Sequence, residues 1–272
     1  MSEARGRQGR LDGMVAIVTG AGSSGPGIGN GRATAVLFAR EGARVALVDN
    51  HLDRAQETLE MIVKEGLAAG SADDVAFAIE ADVTKDADCK RVVEETVRRF
   101  GRLDILDNNV GIGMGSVSVV EVTEENWDRV MTVNVKSMVL MSKHAIPAMR
   151  TNGAGAIINI SSLSALRPRG LTPYSTSKGA VIALTKAMAV DHAKDNIRVN
   201  CIAPGPVYTP MVARGMTEEL RAVRAKTAPL SFEGNAWDIA WAAVYLASLE
   251  SRWVTGVVLP VDGGLSLVAP AR

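Results

Sequence analysis

The chain has 272 residues, of which 47% are hydrophobic and 22% are charged. This is an ordinary globular composition, and it excludes an intrinsically disordered chain. Thirty Lys and Arg residues balance 30 Asp and Glu residues, so no overall field attracts nucleic acid or an anionic membrane. We expect a single domain, because α/β folds of about 200–250 residues often surround one sheet.

The cysteines and the N-terminal segment exclude further classes of protein. Cys89 and Cys201 lie far apart without the spacing of a zinc site or a disulfide scaffold, so we expect two small buried side chains. Residues 1–10 carry arginines but no apolar stretch, which predicts a flexible tail rather than a secretory signal. No apolar run approaches the roughly 18 residues of a membrane span. These features predict a cytoplasmic protein without membrane or nucleic-acid partners.

Strand and helix patterns alternate along the first half of the chain. The apolar run Val15–Val18 predicts a strand buried on both faces, and a glycine-rich turn separates it from a helix over Arg32–Arg40. The alternation continues with a strand at 44–49, a helix at about 53–65, a strand near 75–79, a helix at about 86–100 and a strand at 103–106.

The second half repeats this order and completes the predicted fold. It contains a long helix at about 124–150, a strand at 156–160, a helix at about 173–194, a strand at 197–202, an irregular segment to about 235, a helix at 236–249 and a strand at 257–261. The alternation predicts a doubly wound α/β domain with a mostly parallel sheet of about seven strands and helices on both faces. Ligands of such sheets bind at the carboxyl ends of the strands.

The glycine-rich turn after the first strand predicts a dinucleotide site. Glycines let main-chain amides and the following helix N-terminus approach a diphosphate. Asp49 ends the second strand 20 residues after Gly29, where a carboxylate bonds the ribose 2′-hydroxyl of NAD. Since this carboxylate would repel a 2′-phosphate, we predict NAD rather than NADP, although Arg44 and Arg54 flank the strand and would weaken the repulsion.

A second group of residues predicts acid/base chemistry at an alcohol oxygen. Tyr174 and Lys178 are four residues apart, which places both on one face of a helix. A free tyrosine with a pKa near 10 is a poor base at neutral pH, and a neighbouring ammonium lowers that pKa by favouring the phenolate. Ser161 and Ser162 end the preceding strand, and a serine hydroxyl can stabilise charge on a substrate oxygen.

These motifs resemble, in the same order, those of the short-chain dehydrogenase/reductase family of Rossmann-fold oxidoreductases. The resemblance implies interconversion of a secondary alcohol and a ketone by hydride transfer. It implies that Tyr174 is the acid/base and that Lys178 lowers its pKa and bonds the nicotinamide ribose. It also implies that Ser162 polarises the substrate oxygen, with Ser161 as the alternative, and that Asn134 holds a water for proton relay through a main-chain contact.

The resemblance also implies a set of cofactor-binding residues. We match the family's first turn, TGxxxGxG, to Gly20 followed by Gly29 and Gly31, with roughly five residues inserted around 23–27. The implied cofactor set is Gly20, Gly29, Gly31, Asp49, the adenine-binding pair Asp82 and Val83, the segment Asn109, Val110 and Gly111, the pair Tyr174 and Lys178, and, after the sixth strand, Pro204, Gly205, Val207 and Thr209.

Some features leave alternatives open. Residues from about 210 to 234 resemble the family's mobile substrate loop, and a plain surface helix fits equally well. A 3-oxoacyl-thioester reductase acting on a carrier protein or CoA would use a basic patch, for which the candidates are Arg167, Arg169, Arg214, Arg221 and Arg224. A catalytically silent NAD(P)-binding regulator is the alternative from another class.

The resemblance implies a homotetramer assembled through the long helices that include Asn134 and Tyr174. The sequence itself offers only apolar side chains on these helices, which core packing would explain equally. His51, His144 and His192 are scattered without paired spacing, so no metal site is predicted.

Overall fold

The computed structural model describes residues 9–67, 72–113, 115, 117–168, 170–213 and 216–268. The predicted N-terminal tail lies outside the described residues except for Gly9 and Arg10. Seven strands form one sheet: β1 (Val15–Thr19), β2 (Arg44–Asp49), β3 (Ala76–Glu80), β4 (Ile105–Asn108), β5 (Gly155–Ile160), β6 (Ile197–Pro204) and β7 (Val258–Val261).

The helices separate these strands in sequence, as the alternation predicts. They are α1 (Asn30–Arg40), α2 (Leu52–Lys64), α3 (Ala72–Val75), α4 (Asp86–Phe100), α5 (Glu124–Met131), α6 (Ser137–Thr151), α7 (Leu163–Leu166), α8 (Thr172–Asp191), α9 (Pro210–Ala213), α10 (Glu218–Ala225) and α11 (Ala236–Ala247). Short 3₁₀ turns occur at Ala193–Asp195, Leu249–Ser251 and Leu265–Leu267.

The sheet is wholly parallel, in the order β3-β2-β1-β4-β5-β6-β7. Its central strands, such as β1 and β5, are buried on both faces because successive side chains alternate between two apolar layers. In β1, Ala16 and Val18 join a layer with α1 and α11, whereas Val15 and Ile17 join a layer with α4, α6 and α8. The predicted doubly wound, single-domain α/β fold is therefore confirmed.

The strand order changes direction between β1 and β4, which places the turns after these two strands side by side. In doubly wound sheets the ligand cleft opens at such a switch point. The side chain of Asn109, after β4, donates hydrogen bonds to the main-chain oxygens of Thr19 and Gly20, after β1, at 3.1 and 3.3 Å. The two turns that begin the predicted cofactor site are thus joined directly.

Several elements differ from the sequence prediction: the short helices α3 and α7 are not predicted, and further differences concern β4, the long helix and the segment before residue 235. β4 begins at Ile105 rather than Leu103, because the Asp104 carboxylate accepts a hydrogen bond from the Val15 amide and pairs with Arg102. The long helix runs from Glu124 to Thr151 but contains a π turn at Thr132–Lys136. The segment predicted to be irregular contains α9 and α10.

β4 also contains a buried carboxyl group in an apolar setting. Asp107 pairs in register with Val18 and Ile158, its exposed fraction is 0%, and neither carboxylate oxygen has a hydrogen-bond partner. Burial alone raises the pKa of this carboxyl to about 8.

The sequence expectations about cysteines and membrane spans can be compared with the structure. Cys89 and Cys201 are both free and buried, as predicted. Within the described ranges, no helix combines the length and the apolar character that a membrane crossing requires.

Candidate active site

A cleft of about 620 Å³ opens at the carboxyl ends of the strands, across the switch point. Every predicted site residue except Asn134 lines it. The lining members of that set are Gly20, Gly29, Gly31, Asp49, Asp82, Val83, Asn109, Val110, Gly111, Ser162, Tyr174, Lys178, Pro204, Gly205, Val207 and Thr209. Residues from six strand ends therefore converge on one cavity, as expected for a Rossmann-type site.

The first turn forms a cradle that fits a diphosphate. Gly29 is the N-cap of α1, and no side chain caps this helix end, so the free amides of its first turn remain available to an anion. A Cβ at Gly31 would collide with the carbonyl oxygen of Gly20, so glycine is required there for the helix to pack against the turn. The side-chain oxygen of Asn30 is buried without a hydrogen-bond partner and belongs to the cleft lining.

Asp49 has a structural task that sequence reasoning missed. One of its oxygens accepts a hydrogen bond from the Gly22 amide at 3.1 Å, and the other accepts from the His51 amide at 3.1 Å. The carboxylate thus ties the glycine-rich turn to the end of β2 while it lines the cleft. The half-buried side chain of Arg54 lines the same part of the cleft.

The inserted part of the first turn lies against the start of α9. A Cβ added at Gly25 or Gly27 would lie 3.7 or 3.6 Å from the Pro210 side chain. The buried Arg32 side chain holds the other side of the turn, because it donates to the Gly27 carbonyl at 3.3 Å and to Thr58 at 3.0 Å. The insertion therefore bridges the predicted phosphate site and the predicted substrate loop.

Lys178 is held at the base of the cleft. Its ammonium donates to the Ile160 carbonyl at 2.8 Å and lies 5.8 Å from the centre of the Tyr174 ring. Burial lowers the pKa of Lys178 to about 8, since a charged ammonium loses hydration there. Gly111 leaves room for this group, because a Cβ at that position would lie 3.0 Å from Nζ.

Tyr174 meets Ser162 rather than Ser161. The hydroxyl of Ser162 hydrogen bonds to the phenol, which opposes the rise that burial causes in the pKa of Tyr174. Ser162 also caps α7 by accepting from the Ser164 amide at 3.1 Å. Ser161 also lines the cleft, but its hydroxyl donates to the Lys178 carbonyl at 2.7 Å. Of the two serines, Ser162 has the geometry to share a substrate oxygen with Tyr174.

Asn134 lies behind the cleft, in the π turn. Its side chain accepts from the Ile112 amide at 2.7 Å and donates to the Ile112 carbonyl at 3.0 Å. It also donates to Ser177 at 3.0 Å, and Ser177 donates in turn to the Tyr174 carbonyl at 2.7 Å. The predicted main-chain contact is present, and it joins the turn after β4 to α8, the helix that contains Tyr174 and Lys178. Sequence alone gave no sign of the π turn that aims this side chain inward.

Of the described members of the predicted basic patch, Arg167, Arg221 and Arg224, only the last lines the cleft. Arg167 donates to the Leu265 carbonyl at 2.6 Å, and Arg221 pairs with Glu233 at 2.7 Å and lies 3.9 Å from the Tyr208 ring centre. Arg169 and Arg214 lie outside the described residues. Among the described members of that set, Arg224 alone lines the cleft, where its guanidinium donates to the Val207 carbonyl at 3.1 Å.

The remaining cleft lining has an adenosine end and a substrate end. Asn50 and Thr84 stand beside Asp49 and Asp82, and sequence reasoning missed both because a single turn residue carries no motif. Met211 and Val212 of α9 line the other end. In the part of the chain that the structure describes, no group of three or more His, Cys, Asp or Glu side chains could hold a metal ion.

Known proteins are similar to this chain over most of its length. A family model described as enoyl-(acyl carrier protein) reductase matches residues 20–266. The 3-oxoacyl-[acyl-carrier-protein] reductase FabG of Thermotoga maritima is 39% identical over 259 residues, or 94% of this chain and 99% of that protein. The glucose and ribitol dehydrogenase of Daucus carota is 36% identical over 259 residues, or 94% of this chain and 86% of that protein.

A solved structure is equally similar. The crystal structure of a putative short-chain dehydrogenase/reductase from Burkholderia xenovorans has a TM-score of 0.88 and 41% sequence identity, and the match covers 96% of this chain and 100% of that chain. Together with the family model, this similarity extends across the whole sheet and the cleft. The chain belongs to the short-chain dehydrogenase/reductase family and is an NAD(P)-dependent oxidoreductase that acts on CH–OH groups.

Proposed function

We propose that this protein is an NAD(H)-dependent dehydrogenase that interconverts a secondary alcohol and a ketone, with Tyr174, Ser162, Lys178 and Asn134 as its catalytic set. The observation that carries the proposal is that Ser162, Tyr174 and Lys178 line one cleft, in which the Lys178 ammonium lies 5.8 Å from the centre of the Tyr174 ring. Two hydroxyls that converge in this way can hold one substrate oxygen between them. The cleft also contains the predicted dinucleotide cradle, so both reactants have a place in it.

The reaction follows from this arrangement. When bound, the nicotinamide supplies the hydride acceptor for alcohol oxidation and the hydride donor for ketone reduction. Tyr174 removes the hydroxyl proton during oxidation and returns it during reduction. Ser162 donates a hydrogen bond to the substrate oxygen and stabilises its developing negative charge. The positive charge of Lys178 favours the phenolate and thereby lowers the pKa of Tyr174.

We assign the choice between NAD and NADP to the residue at the end of β2. The Asp49 carboxylate lines the cleft and would bond the ribose 2′-hydroxyl of NAD while repelling the phosphate of NADP. Arg54, which lines the same part of the cleft, reduces this repulsion. We therefore expect a preference for NAD that is measurable but incomplete.

The test is NADH formation from NAD with a panel of cyclic, aryl and hydroxyacyl secondary alcohols, with NADP run in parallel. Tyr174→Phe removes only the phenolic oxygen, so it is expected to abolish turnover and leave NADH binding intact. NADH binding is measured by fluorescence titration of both proteins. Turnover that survives in Tyr174→Phe would contradict the assigned acid/base. Equal kcat/KM for NAD and NADP would contradict the role given to Asp49.

A 3-oxoacyl-thioester reductase is the second candidate. The 39% identity to the Thermotoga maritima FabG supports it, and Arg224 at the cleft supplies one of the cations it would use. A thioester that is reduced at least tenfold more efficiently than every simple ketone would favour this candidate. NADH binding without turnover of any alcohol, ketone or thioester would favour the silent regulator instead, although the full catalytic set argues against it.

We further propose a cytoplasmic homotetramer and a substrate loop over residues 210–234. Exposed apolar side chains on the outer surface support assembly, among them Val139 of α6, Val190 of α8 and Trp253. Met211 of α9 supports the loop assignment, because it lines the cleft although more than half of its surface is exposed. Sedimentation equilibrium measures the oligomeric state directly.

A further inference from the structure

The substrate loop contains a helix that the hydrophobic core does not hold. α10 has no buried residue, although Arg224 on this helix lines the cleft. Its larger apolar side chains, Leu220 and Val223, are both more than half exposed. A surface helix is ordinarily fixed by the apolar face that it buries. The position of α10 beside the cleft therefore depends on polar contacts.

Arg221 joins this helix to two other segments of the chain. Its Nε donates to a carboxylate oxygen of Glu233, in the segment before α11, at 2.7 Å. The centre of its guanidinium lies 3.9 Å from the centre of the Tyr208 ring. A guanidinium can stack on an aromatic face while it donates to a carboxylate. Glu218 also interacts with Arg221 electrostatically, but it belongs to α10 itself and cannot fix the helix to the rest of the protein.

Tyr208 connects these contacts to the part of the cleft that is assigned to the cofactor. It stands between Val207 and Thr209, both of which line the cleft. Its amide donates to the Gly234 carbonyl at 2.9 Å, so the turn after β6 is also bound to the segment that contains the carboxylate. Arg224 adds a link from α10 to the same turn, because it donates to the Val207 carbonyl at 3.1 Å. A movement of α10 away from the cleft therefore breaks contacts to this turn.

We propose that Arg221, Glu233 and Tyr208 form a latch that holds α10 against the substrate end of the cleft and links its position to cofactor binding. The inference rests on the proposed function and adds positioning residues to it. In the closed state, the substrate loop walls the end of the cleft that Met211 and Val212 line. In the open state, substrate and product pass. Cofactor bound at the turn after β6 favours the closed state, because this turn carries Tyr208.

The latch is strong enough to set the position of α10 and weak enough to open during turnover. The side chains of Arg221 and Glu233 are 40% and 13% exposed, and a partly exposed ion pair shifts an equilibrium by about 2- to 5-fold. A guanidinium on an aromatic ring contributes a further factor of about 2 to 5. Together these contacts favour the closed state by roughly 4- to 25-fold.

Hydrogen exchange of the main-chain amides of α10, measured by mass spectrometry of the whole protein without cofactor, reports how often this helix opens. Glu233→Gln is expected to speed this exchange by about 2- to 5-fold, and Arg221→Gln by about 4- to 25-fold. Exchange in α4 is expected to stay unchanged in both variants. Glu233→Gln adds nothing in the Arg221→Gln background, because the ion pair is already broken there.

Two controls separate a latch from a general loss of stability. Arg150 pairs with Asp195 at 2.6 Å, and the side chains have nearly the same exposed fractions, 46% and 16%. This pair lies before β6, at the edge of the sheet opposite the cleft, so Arg150→Gln is expected to leave exchange in α10 unchanged. Tyr208→Phe keeps the ring and Tyr208→Leu removes it, so only the second is expected to speed this exchange.

NADH tests the link between the latch and the cofactor. In the wild type, saturating NADH is expected to slow exchange in α10. In Arg221→Gln this slowing disappears and the Kd for NADH rises, because a coupling between two sites is reciprocal. With an alcohol that is turned over, Arg221→Gln is expected to raise KM without lowering kcat, since the latch contacts no reacting atom.

Four results overturn the inference: exchange in α10 that is unchanged in Arg221→Gln, exchange that Arg150→Gln or Tyr208→Phe speeds equally, slowing by NADH that survives in Arg221→Gln, or a loss of kcat at unchanged KM. A protein that binds NADH but turns over no alcohol refutes the proposed function, while hydrogen exchange still decides the latch. A protein that binds no NADH refutes both the proposed function and the link to the cofactor.

Discussion

At the scale of single residues, the active site divides two adjacent serines between two tasks. The Ser161 hydroxyl donates to the carbonyl of Lys178 and so fixes the catalytic helix to the end of β5. The Ser162 hydroxyl instead meets the phenol of Tyr174 inside the cleft. The sequence could not distinguish the two serines, because a strand end that turns into a short helix has no fixed side-chain alternation.

The division predicts different effects for the two serines. Ser162→Ala is expected to lower kcat by about 10²-fold or more, because it removes a donor aimed at the developing charge on the substrate oxygen. Ser161→Ala is expected to lower the melting temperature with a smaller loss of kcat, because it breaks a buried bond to the Lys178 carbonyl. Steady-state kinetics and thermal unfolding of both variants test this. A larger loss of kcat in Ser161→Ala would transfer the polarising role to that serine.

At the scale of elements, the cleft is bridged by a longer first turn than the family pattern has. The inserted residues lie near Pro210 at the start of α9, where an added Cβ at Gly27 would be 3.6 Å from its side chain, and the Gly27 carbonyl accepts a hydrogen bond from Arg32 of α1. Gly27 at the tip has a φ of +108°, a conformation that L side chains rarely adopt. The conformation of this turn therefore depends on a glycine and affects both the cofactor cradle and the substrate loop.

A methyl group at this tip should affect cofactor binding. Gly27→Ala is expected to cost about 1–3 kcal/mol in backbone strain, because L side chains rarely adopt a φ of +108°, and to weaken NAD binding if the turn relieves that strain by changing its conformation beside the cradle. Gly153→Ala is the matched control, since Gly153 also has a positive φ (77°) but no atoms within 4 Å of an added Cβ. The Gly153→Ala variant is expected to be less stable than the wild type but to bind NAD with an unchanged Kd. Equal Kd values in both variants would show that the inserted turn does not act on the cofactor.

The accuracy of the sequence prediction also differs from element to element. The sequence predicts both ends of the buried strand β2 correctly. A continuous apolar run between polar residues is typical of a strand of a parallel sheet, and the polar residues mark its ends. The π turn around Asn134 was missed, because one extra residue in a helix leaves no trace in hydrophobic spacing. For residues 210–234 the sequence leaves both a loop and a surface helix open, because neither α9 nor α10 contains a buried residue that would set an apolar periodicity.

Within the candidate site, motif residues were predicted and contact partners were not. Tyr174, Lys178 and Asp49 carry recognisable spacing relative to strand ends. The second task of Asp49 as an anchor for the Gly22 amide depends on the path of an inserted turn, which spacing does not describe. Arg224 reaches the cleft from a helix remote in sequence, so only the tertiary structure selects it from the other arginines.

At the scale of the whole molecule, stability depends on a sheet whose central strands are buried on both faces. Most side chains in the interior of this sheet are apolar, but Asp107 places a carboxyl group there. This group is fully buried between Val18 and Ile158 and has no hydrogen-bond partner. An ionised carboxylate at this place would lose its hydration without compensation, so the folded protein keeps the proton and the pKa rises to about 8. In the unfolded chain the same group has an ordinary pKa near 4.

This difference makes the stability of the whole domain depend on pH. Since the folded-state pKa of Asp107 is the higher one, the folded protein binds more protons between about pH 4 and pH 8. The stabilisation that protonated Asp107 gives to the folded state is therefore fully present below about pH 4 and is lost as the pH rises to about 8. The loss amounts to a few kcal/mol, because each pKa unit corresponds to about 1.4 kcal/mol.

Asp107→Asn removes the titration while it keeps the size of the side chain. The free energy of unfolding of this variant is expected to equal or fall below the wild-type value near pH 5 and to exceed it by a few kcal/mol near pH 8.5. Urea unfolding across this range gives both values. Asp104→Asn is the matched control, since it weakens a carboxylate paired with Arg102 and bonded to the Val15 amide, and it should destabilise the protein. Parallel pH profiles for wild type and Asp107→Asn would mean that the buried carboxyl finds a partner on ionisation, so that burial does not limit the stability of the sheet at alkaline pH.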